Sequence, residues 1–431
     1  MCDLTRAAAV LDRLCPTAVR NLLDRFAEAG VGAYPVGGCV RDALMGCVPH
    51  DWDMAVTCPP EETAALCETA GFRVIPTGIA HGTVTVLVPE PDGATLPIEC
   101  TTCRTEGGYS DGRHPDRVCF SERIEDDLSR RDFTVNAMAA ERDGTGHFRV
   151  LDLFGGLDDL SKGVIRCVGD PETRLREDAL RVLRGIRFSV RLGFEPEAGT
   201  RAALRSCGPG LVRISGERVR EELRGILMSP DPDRGVMWLY DLELVPYIVP
   251  YPSPDAGRLA QRGGFSVLDG FESRLAAMLW GISGSELTAD VGRLRLSGTE
   301  MRRVRARLSA ADWKPDPTMA VPELARRLRA RLGDEAWSTL SVRQGYEPLP
   351  PELSGLADAV RRSAAAREPV TLGELALSGH DLAALGVPAG AATGRVLARL
   401  LDEVLRDPSR NTPEALAEIV RVCVQAYGGS V

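Results

Sequence analysis

The stretch that most constrains this chain is residues 37–53, GGCVRDALMGCVPHDWD, which joins a glycine turn to two alternating acids. Asp51 and Asp53 begin an apolar-alternating run that extends to Val56 and predicts a β-strand. Because alternate residues of a strand point to the same face, both carboxylates lie on one side of it. Two acids this close repel each other unless cations lie between them. Paired Mg²⁺ ions held in this way are used for phosphoryl and nucleotidyl transfer.

A glycine pair, Gly37 and Gly38, precedes Arg41 in this stretch. A Gly-Gly pair by itself is most often a plain turn, and a lone Asp-x-Asp is more often a solvated strand edge. The two features in one short stretch, with an arginine three residues after the second glycine, are much less common. Together they predict a phosphate-binding turn followed by a pair of metal-binding acids.

The first hundred residues predict a small mixed sheet with helices, and the glycine turn and the acids lie at one edge of it. Apolar residues at helical spacing predict a helix over residues 16–29, which ends at Gly30, and a second over residues 60–70. The predicted strands span residues 33–36, 51–56, 83–88 and 96–102. Glu99 lies on the last strand, where the sheet can bring it to the two acids as a third carboxylate. The alternative is a half-exposed strand glutamate.

Two segments that follow are candidates for a nucleotide site. Residues 104–121 are rich in glycine and basic side chains, which is typical both of a loop over an active site and of an ordinary surface loop. In residues 127–139, Arg131 and Asp132 precede an apolar run, and Asn136 lies four residues after Asp132, on the same helical face. The Arg-Asp pair is either a weak surface salt bridge or, beside a nucleotide, a ligand for ribose hydroxyls and phosphate.

Beyond Gly169 strand patterns nearly vanish, and the remaining chain predicts helices. Residues 172–191, ETRLREDALRVLRGIRFSVR, predict one helix with an apolar stripe about 100° wide. Its opposite face carries a continuous row of one acid and three arginines: Asp178, Arg181, Arg184 and Arg187. Like-charge repulsion disfavours this row unless anions neutralise it, so it predicts an anion site. A solvated helix face is the alternative.

A second basic segment, residues 215–224, begins with Ser215 as a predicted N-cap and is expected to brace this helix, with Leu223 and Ile226 facing inward. Residues 228–262 are rich in proline and tyrosine and predict a hinge or a turn-rich connection. Helices are then predicted over residues 271–282, 298–310, 321–332 and 394–405.

Composition narrows the class of protein. The length of 431 residues predicts roughly two to four domains, and no run is long and apolar enough for a membrane helix. The N-terminus predicts no secretory signal and the twelve cysteines are scattered like reduced thiols, so we expect a cytoplasmic protein. The single Cys-x-x-Cys, Cys100 to Cys103, has no second pair for a zinc site. The net charge of −9 argues against a nucleic-acid partner, so any RNA surface must be local, where arginines cluster.

In order and spacing, four segments resemble the class II tRNA nucleotidyltransferase and bacterial poly(A) polymerase family, and they look most like CCA-adding enzymes. The segments are residues 37–53, 104–136, 176–191 and 217–223, and with the residues between them they run over about half of the chain. The resemblance implies an α+β fold in which a polymerase-β-like nucleotidyltransferase head is followed by an all-α neck, body and tail that grip the acceptor arm of tRNA. The expected bounds are 1–160 for the catalytic head, 161–250 for the neck, 251–335 for the body and 336–431 for the tRNA-binding tail.

The resemblance also implies roles for individual residues. Asp51 and Asp53 would act in catalysis and bind Mg²⁺ or Mn²⁺, with Glu99 as the third catalytic carboxylate. The implied nucleotide-binding residues are Gly38 and Arg41 at the triphosphate, Arg131 and Asp132 at the ribose, and Asp178, Arg181, Arg184 and Arg187 at the base and triphosphate. Asn136 is expected to be a further nucleotide-binding residue. No His-Asp hydrolase domain is appended, so phosphodiesterase activity is not expected, and no protein partner is identifiable.

The residue chemistry agrees with a protein template for the incoming base. Cytosine and adenine each present an amino donor beside a ring-nitrogen acceptor, so one acid that accepts and one arginine that donates can recognise both. Uracil and guanine would place like groups opposite each other. Asp178 and Arg181, one helical turn apart on the predicted helix, form such a pair.

We therefore expect template-independent addition of C, C and A to the tRNA 3′ end from CTP and ATP, by two-metal in-line attack of the 3′-hydroxyl. Alternatives with the same chemistry are a poly(A) polymerase and an A-adding or CC-adding relative, and residues 107–121, present in full, disfavour the CC-adding form by family analogy. A non-enzyme alternative is an inactive RNA-binding relative, which the intact acids Asp51 and Asp53 disfavour.

Overall fold

The computed structural model describes residues 4–108, 117–311, 313–316 and 318–428, and the chain forms two compact units, Met1–Pro250 and Tyr251–Val431. The boundary between the units lies within residues 228–262, where the sequence predicts a hinge or a turn-rich connection. The finer division into head, neck, body and tail stays a prediction.

The first unit contains all eleven strands of the described residues and twelve α-helices. The strands are β1 (Ala33–Pro35), β2 (Trp52–Val56), β3 (Arg73–Gly78), β4 (Thr83–Pro89), β5 (Thr95–Thr102), β6 (Arg104–Gly107), β7 (Arg117–Phe120), β8 (Met138–Arg142), β9 (Phe148–Asp152), β10 (Val164–Ile165) and β11 (Glu195–Pro196). The helices are α1 (Leu4–Leu14), α2 (Thr17–Glu28), α3 (Gly38–Leu44), α4 (Pro60–Thr69), α5 (Ile124–Ser129), α6 (Gly156–Lys162), α7 (Pro171–Glu177), α8 (Leu180–Leu192), α9 (Ala198–Cys207), α10 (Gly216–Leu227), α11 (Pro232–Asp241) and α12 (Val245–Ile248).

A five-stranded sheet in the order β1-β2-β5-β4-β3 supports the acidic end of the site. β2 pairs in parallel with β5, and the other neighbouring pairs are antiparallel. In this register Asp53 is the cross-strand partner of Glu99. The four predicted strands correspond to β1, β2, β4 and β5, which confirms them. The sequence patterns do not predict β3, because its residues are mostly exposed and Pro76 interrupts the alternation.

The core of this unit holds β2 in place. Leu22 and Phe26 of α2 are fully buried in one apolar cluster with Met54 of β2 and Ile98 of β5. Burying a side chain of this size contributes about 1.5–3 kcal/mol, so the inward face of β2 is firmly anchored. The predicted helix over residues 16–29 is confirmed as α2.

The single helix predicted over residues 172–191 is wrong, because the chain breaks into α7 and α8 at Asp178. Asp178 has an extended backbone, with φ −140° and ψ 105°. Its Oδ1 accepts a hydrogen bond of 3.0 Å from the backbone N–H of Leu180. An aspartate that bonds to the backbone two residues later competes with helix formation, and here it begins a new helix instead of continuing the old one.

The bracing role predicted for residues 215–224 is confirmed, since α10 packs against α8 with Leu223 and Ile226 fully buried. Ser215 stands at the N-cap of α10, but its side chain makes no capping hydrogen bond. Residues 228–262 contain helices as well as turns. In α11 the side chain of Asp231 accepts from the Arg234 N–H, and Pro232 occupies the first turn, where a missing N–H costs nothing.

Within residues 104–121, where the composition predicts a loop, β6 and β7 pair as an antiparallel ribbon. Residues 109–116, between these strands in the chain, lie outside the described residues. Asn136 belongs to a 3₁₀ turn, Thr134–Asn136, and not to the α-helix that its spacing from Asp132 predicts.

In the second unit, the regular elements of the described residues are all helices, joined by turns and loops. Its helices are α13 (Ala256–Gln261), α14 (Gly270–Met278), α15 (Gly284–Arg293), α16 (Gly298–Leu308), α17 (Val321–Leu332), α18 (Ala336–Tyr346), α19 (Leu356–Ala365), α20 (Gly379–Ala384), α21 (Ala391–Arg406) and α22 (Pro413–Gly428). The four helices predicted for this part of the chain correspond to α14, α16, α17 and α21. With the mixed first unit, this confirms the α+β fold class.

Neither a membrane helix nor a zinc site of thiols is found in the described part of the chain. No helix there combines the length and the apolar character needed to cross a membrane. The eleven cysteines within the described residues are free thiols. Burial raises the pKa of Cys103 to about 12 and that of Cys100 also well above its usual value, so both thiols stay protonated inside the core.

Candidate active site

A cavity of about 530 Å³ in the first unit collects nearly all the residues that the sequence singles out. Of the twelve predicted site residues, eleven line it: Gly38, Arg41, Asp51, Asp53, Arg131, Asp132, Asn136, Asp178, Arg181, Arg184 and Arg187. Glu99 is the exception. The lining also includes residues that the sequence analysis does not assign to the site, among them His50, Arg130, Phe188, Arg191 and Arg218.

The glycine turn at the cavity depends on Gly37 more than on Gly38. Gly37 has φ +76°, a left-handed conformation that side chains disfavour, and a Cβ there would lie 2.7 Å from Nη1 of Arg131. Gly38 begins α3, and a Cβ added to it would meet only an ordinary contact, 3.6 Å from Nη2 of Arg41. The turn therefore lets Arg131 lie directly over the backbone at Gly37.

Arg41 projects into the cavity from α3 and is almost fully buried. Its Nη2 lies 2.6 Å from Oδ1 of Asp42, and its Nη1 donates a hydrogen bond to Oδ1 of Asn136. Asn136 in turn donates through Nδ2 to Oδ1 of Asp132, at 3.4 Å. The predicted proximity of Asp132 and Asn136 is thus found, although a 3₁₀ turn produces it.

Asp51, directly before β2, and Asp53, within it, behave as the alternation predicts. Asp51 and Asp53 are exposed toward the cavity, whereas Trp52 and Met54 are buried in the core. Partial burial, the charge of Glu99 and, more weakly, that of Asp51 raise the pKa of Asp53, and Arg131 opposes this shift. These carboxylates repel one another in the absence of a cation.

Glu99 lies beside Asp53 in the sheet but does not line the cavity. Within the described ranges, no group of three or more His, Cys, Asp or Glu side chains is arranged to hold a metal ion. The two acids on one strand face remain a donor set of the hard carboxylate oxygens that Mg²⁺ prefers. The role of Glu99 as a third carboxylate stays a prediction.

Asp127 is a buried anchor for two cavity arginines. Its Oδ2 accepts from Nε and Nη2 of Arg131 at 3.0 and 2.8 Å, and its Oδ1 accepts from Nε of Arg130 at 3.1 Å. Burial alone would raise the pKa of Asp127, but Arg131 and Arg130 together lower it. Arg130 also donates through Nη1 to Oε1 of Glu106 on β6, at 3.1 Å.

Asp132, in the segment after α5, forms an ion pair with Arg184 of α8. Nε and Nη2 of Arg184 both lie 2.7 Å from Oδ2 of Asp132. Burial would raise the pKa of Asp132, but Arg184 lowers it by its charge and its hydrogen bond. One turn further along α8, Nε of Arg187 donates to Oε2 of Glu222 on α10, at 2.6 Å.

Asp178 and Arg181 both face the cavity, but each has partners within the protein. Oδ2 of Asp178 accepts from Nη2 of Arg218 at 2.7 Å. Nη1 of Arg181 donates to the carbonyl oxygen of Arg174 at 2.9 Å and forms an ion pair with Glu177. The two side chains are thus held in place before any ligand arrives.

The cavity lining contains eight arginines and five aspartates. A strongly basic cavity with two exposed acids at one end suits a polyphosphate and its counter-cations. The acids and arginines come from α3, from β2 and the residue before it, from the segment after α5, from the junction of α7 and α8, from α8 and from α10.

Comparison with known proteins identifies similar chains. The family model described as the poly A polymerase head domain matches residues 33–166, and that described as the probable RNA and SrmB-binding site of polymerase A matches residues 193–255. The chain is 33% identical over 404 residues to a CCA-adding enzyme of Limosilactobacillus fermentum, covering 92% of this chain and 94% of the relative. It is 32% identical over 421 residues to a CCA-adding enzyme of Leuconostoc citreum, covering 94% and 95%.

A solved structure, the Bacillus stearothermophilus CCA-adding enzyme in complex with CTP, superposes with a TM-score of 0.75 at 29% identity. The match covers 96% of this chain and 98% of that one. The similarity therefore extends over both compact units and not only over the cavity.

Proposed function

The chain belongs to the family of CCA-adding enzymes, and we propose that it adds C, C and A to the 3′ end of tRNA from CTP and ATP, releasing pyrophosphate. The observation that carries this proposal is the single cavity in which Asp51 and Asp53 face the row of arginines on α8. A nucleoside triphosphate fits such a cavity with its phosphates among the guanidinium groups and its α-phosphate toward the acids.

The proposed reaction is in-line attack of the tRNA 3′-hydroxyl on the nucleotide α-phosphate. Asp51 and Asp53 would hold divalent cations, Mg²⁺ by our expectation, which when bound increase the acidity of the hydroxyl and offset the charge of the departing pyrophosphate. The donor set supports this, because both carboxylates line the cavity and offer the hard oxygen ligands that Mg²⁺ prefers. Arg41, Arg184 and Arg187 would stabilise the charge on the triphosphate.

Base selection is proposed for Asp178 and Arg181. The carboxylate of Asp178 would accept from the amino group shared by cytosine and adenine, and the guanidinium of Arg181 would donate to the adjacent ring nitrogen. Both side chains line the cavity and are oriented by hydrogen bonds from other protein groups. For the ribose we propose Asp132 and Arg131.

The proposal is tested with transcripts of one tRNA that end at the discriminator base, after the first C, and after the second C. Each is incubated with Mg²⁺ and with CTP, ATP, or both. We expect CTP to extend the first two, ATP to extend the third, and the complete CCA end to form and stop when both are present. Asp53→Asn serves as the inactive control, and it should still bind the tRNA.

Other outcomes identify the alternatives. Long A tails on unstructured RNA would indicate a poly(A) polymerase, and extension that ends after CC or needs a preformed CC end would indicate a partial enzyme. Binding of tRNA without any incorporation would indicate an inactive RNA-binding relative. We place the protein in the cytoplasm, where its substrates would be found.

A further inference from the structure

One aromatic ring lies at the centre of the arginine cluster. The guanidinium carbons of Arg41, Arg184 and Arg187 lie 5.4, 5.3 and 4.5 Å from the centroid of the Phe188 ring. Phe188 lines the cavity and is only 6% exposed. Arg41 comes from the glycine turn region, whereas the other two arginines come from α8, so the ring is where these two parts of the site meet.

The surroundings of Phe188 fix its ring. Phe133, which is fully buried, meets it edge to face, with the ring centroids 5.9 Å apart and the planes at 77°. Beside Arg187, α10 passes so close that a Cβ at Gly225 would lie 2.3 Å from Cδ of Arg187. The absence of a side chain at Gly225 is what lets Arg187 lie over the ring.

Three cations this close repel one another, and the positive charge of each is offset only by the protein groups next to it. Arg184 pairs with Asp132, Arg187 pairs with Glu222, and Arg41 contacts Asp42 and Asn136. The electron-rich face of a ring attracts a cation without occupying its N–H groups. The remaining N–H donors can therefore still bind an anion.

We propose that Phe188 is a positioning residue for the triphosphate, which holds Arg41, Arg184 and Arg187 in one converging arrangement before the nucleotide binds. This inference rests on the proposed function, because it takes the ligand of the arginines to be the triphosphate of CTP or ATP. Without the ring, each arginine keeps only its own polar partner, so part of the converging arrangement must be ordered when the ligand binds, which weakens affinity. The base is read elsewhere, so selectivity between nucleotides does not depend on Phe188.

The test uses Phe188→Leu, which keeps apolar bulk but removes the ring, with Phe188→Met as a second ring-free variant if the leucine protein does not fold cooperatively. Phe188→Tyr keeps the aromatic face. Phe148→Leu is the matched control, because Phe148 is also buried and carries one guanidinium, that of Arg20, 5.4 Å from its centroid, but does not line the cavity.

Binding of inorganic tripolyphosphate, CTP and ATP is measured by calorimetry, with melting temperature and KM recorded for each variant. We expect the ring-free variants to bind all three ligands about tenfold more weakly, with KM raised and the preference for CTP over UTP unchanged. Phe188→Tyr should remain within about threefold of the wild type, since tyrosine also binds cations over its ring. Phe148→Leu should lower the melting temperature without weakening the binding of tripolyphosphate.

Wild-type affinity for tripolyphosphate in a folded ring-free variant would overturn the inference and leave the proposed function untouched. A loss confined to CTP or ATP would also overturn it, because the effect would then act through the base. If the wild-type protein itself bound neither tripolyphosphate nor nucleotides, the proposed function would fail instead.

Discussion

Nη2 of Arg218 lies 2.7 Å from Oδ2 of Asp178, so an arginine of α10 holds the acid that we propose reads the base. Asp178 is not on a continuous helix with Arg181, because it has an extended backbone at the end of α7. The other terminal nitrogen of Arg218, Nη1, is buried and has no hydrogen-bond partner among the described residues. The orientation of the acid thus depends on a contact between the junction of α7 with α8 and a side chain of α10.

Replacing Asp178 by alanine is expected to relax base selection. The acceptor for the amino group of cytosine and adenine is then lost, so UTP and GTP are no longer disfavoured by it, and we expect the preference for CTP over UTP to fall about 10- to 100-fold. The measurement is kcat/KM for each of the four nucleotides. Asp170→Ala, which removes the N-cap of α7 outside the cavity, is the control and should retain selectivity. Unchanged selectivity in Asp178→Ala would contradict the protein-template proposal.

Asp53→Asn is expected to eliminate nucleotide transfer and leave tRNA binding intact. Burial and the neighbouring charges of Glu99 and Asp51 raise the pKa of Asp53, and Arg131 opposes this only in part, so a bound cation would further stabilise the ionised form. Mg²⁺ at about 10 to 100 times its dissociation constant should stabilise the wild type by about 1–3 kcal/mol, but not the variant. Thermal melting with and without Mg²⁺ checks this, with the exposed Asp92→Asn as control. Transfer activity that survives in Asp53→Asn would rule out the two-metal mechanism.

Asp132→Asn should destabilise the first unit by about 1–3 kcal/mol at pH 7, because it leaves Arg184 without its closest carboxylate. The pKa of Asp132 is lowered in the folded chain, so its contribution is present above the unfolded pKa of about 3.9 and is lost as the pH falls through the folded value. Chemical denaturation should therefore show that the difference in unfolding free energy between the wild type and Asp132→Asn is smaller below pH 4 than at pH 7. Asp158→Asn, which breaks an exposed pair with Lys162, should cost less than about 1 kcal/mol. An equal loss of unfolding free energy in Asp132→Asn and Asp158→Asn would contradict the stabilising role of the Asp132–Arg184 pair.

Asp290→Asn should stabilise the second unit at neutral pH. Oδ1 of Asp290 accepts from the Tyr251 N–H at 2.9 Å, but the buried Oδ2 lacks a hydrogen-bond partner in the part of the chain that the structure describes. Burial, with a smaller contribution from Glu286, raises the pKa of Asp290 to about 6, although the Tyr251 hydrogen bond opposes this.

Between about pH 4 and pH 6, Asp290 is therefore protonated in the folded chain but ionised in the unfolded chain. The free energy of unfolding falls as the pH rises through this range. Calorimetry should show Asp290→Asn more stable by about 1–3 kcal/mol at pH 7 and nearly unchanged at pH 4. The exposed Asp334→Asn is the control. A pH-independent effect of Asp290→Asn would contradict the assignment.

The features predicted well from the sequence are those set by residues close together in the chain. The alternation that begins at Asp51 places both acids on one strand face, and the spacing of Leu22 and Phe26 produces the buried face of α2. The incorrect helix over residues 172–191 also has a local cause, which the apolar period does not reveal. Its apolar period is intact, but the bond from Leu180 N–H to the Asp178 carboxylate is locally available and breaks the helix.

By itself the sequence determined the chemistry of the site, since the residue types and the periods that orient them within a strand or a helix are local properties. Only the tertiary structure decided which of those residues meet. The pairing of β2 with β5 sets Glu99 beside Asp53 yet outside the cavity, and the close approach of α10 brings Arg218 to Asp178. Arg41 of α3 reaches Phe188 of α8 for the same reason: distances between elements depend on register and packing, which no local pattern in the chain encodes.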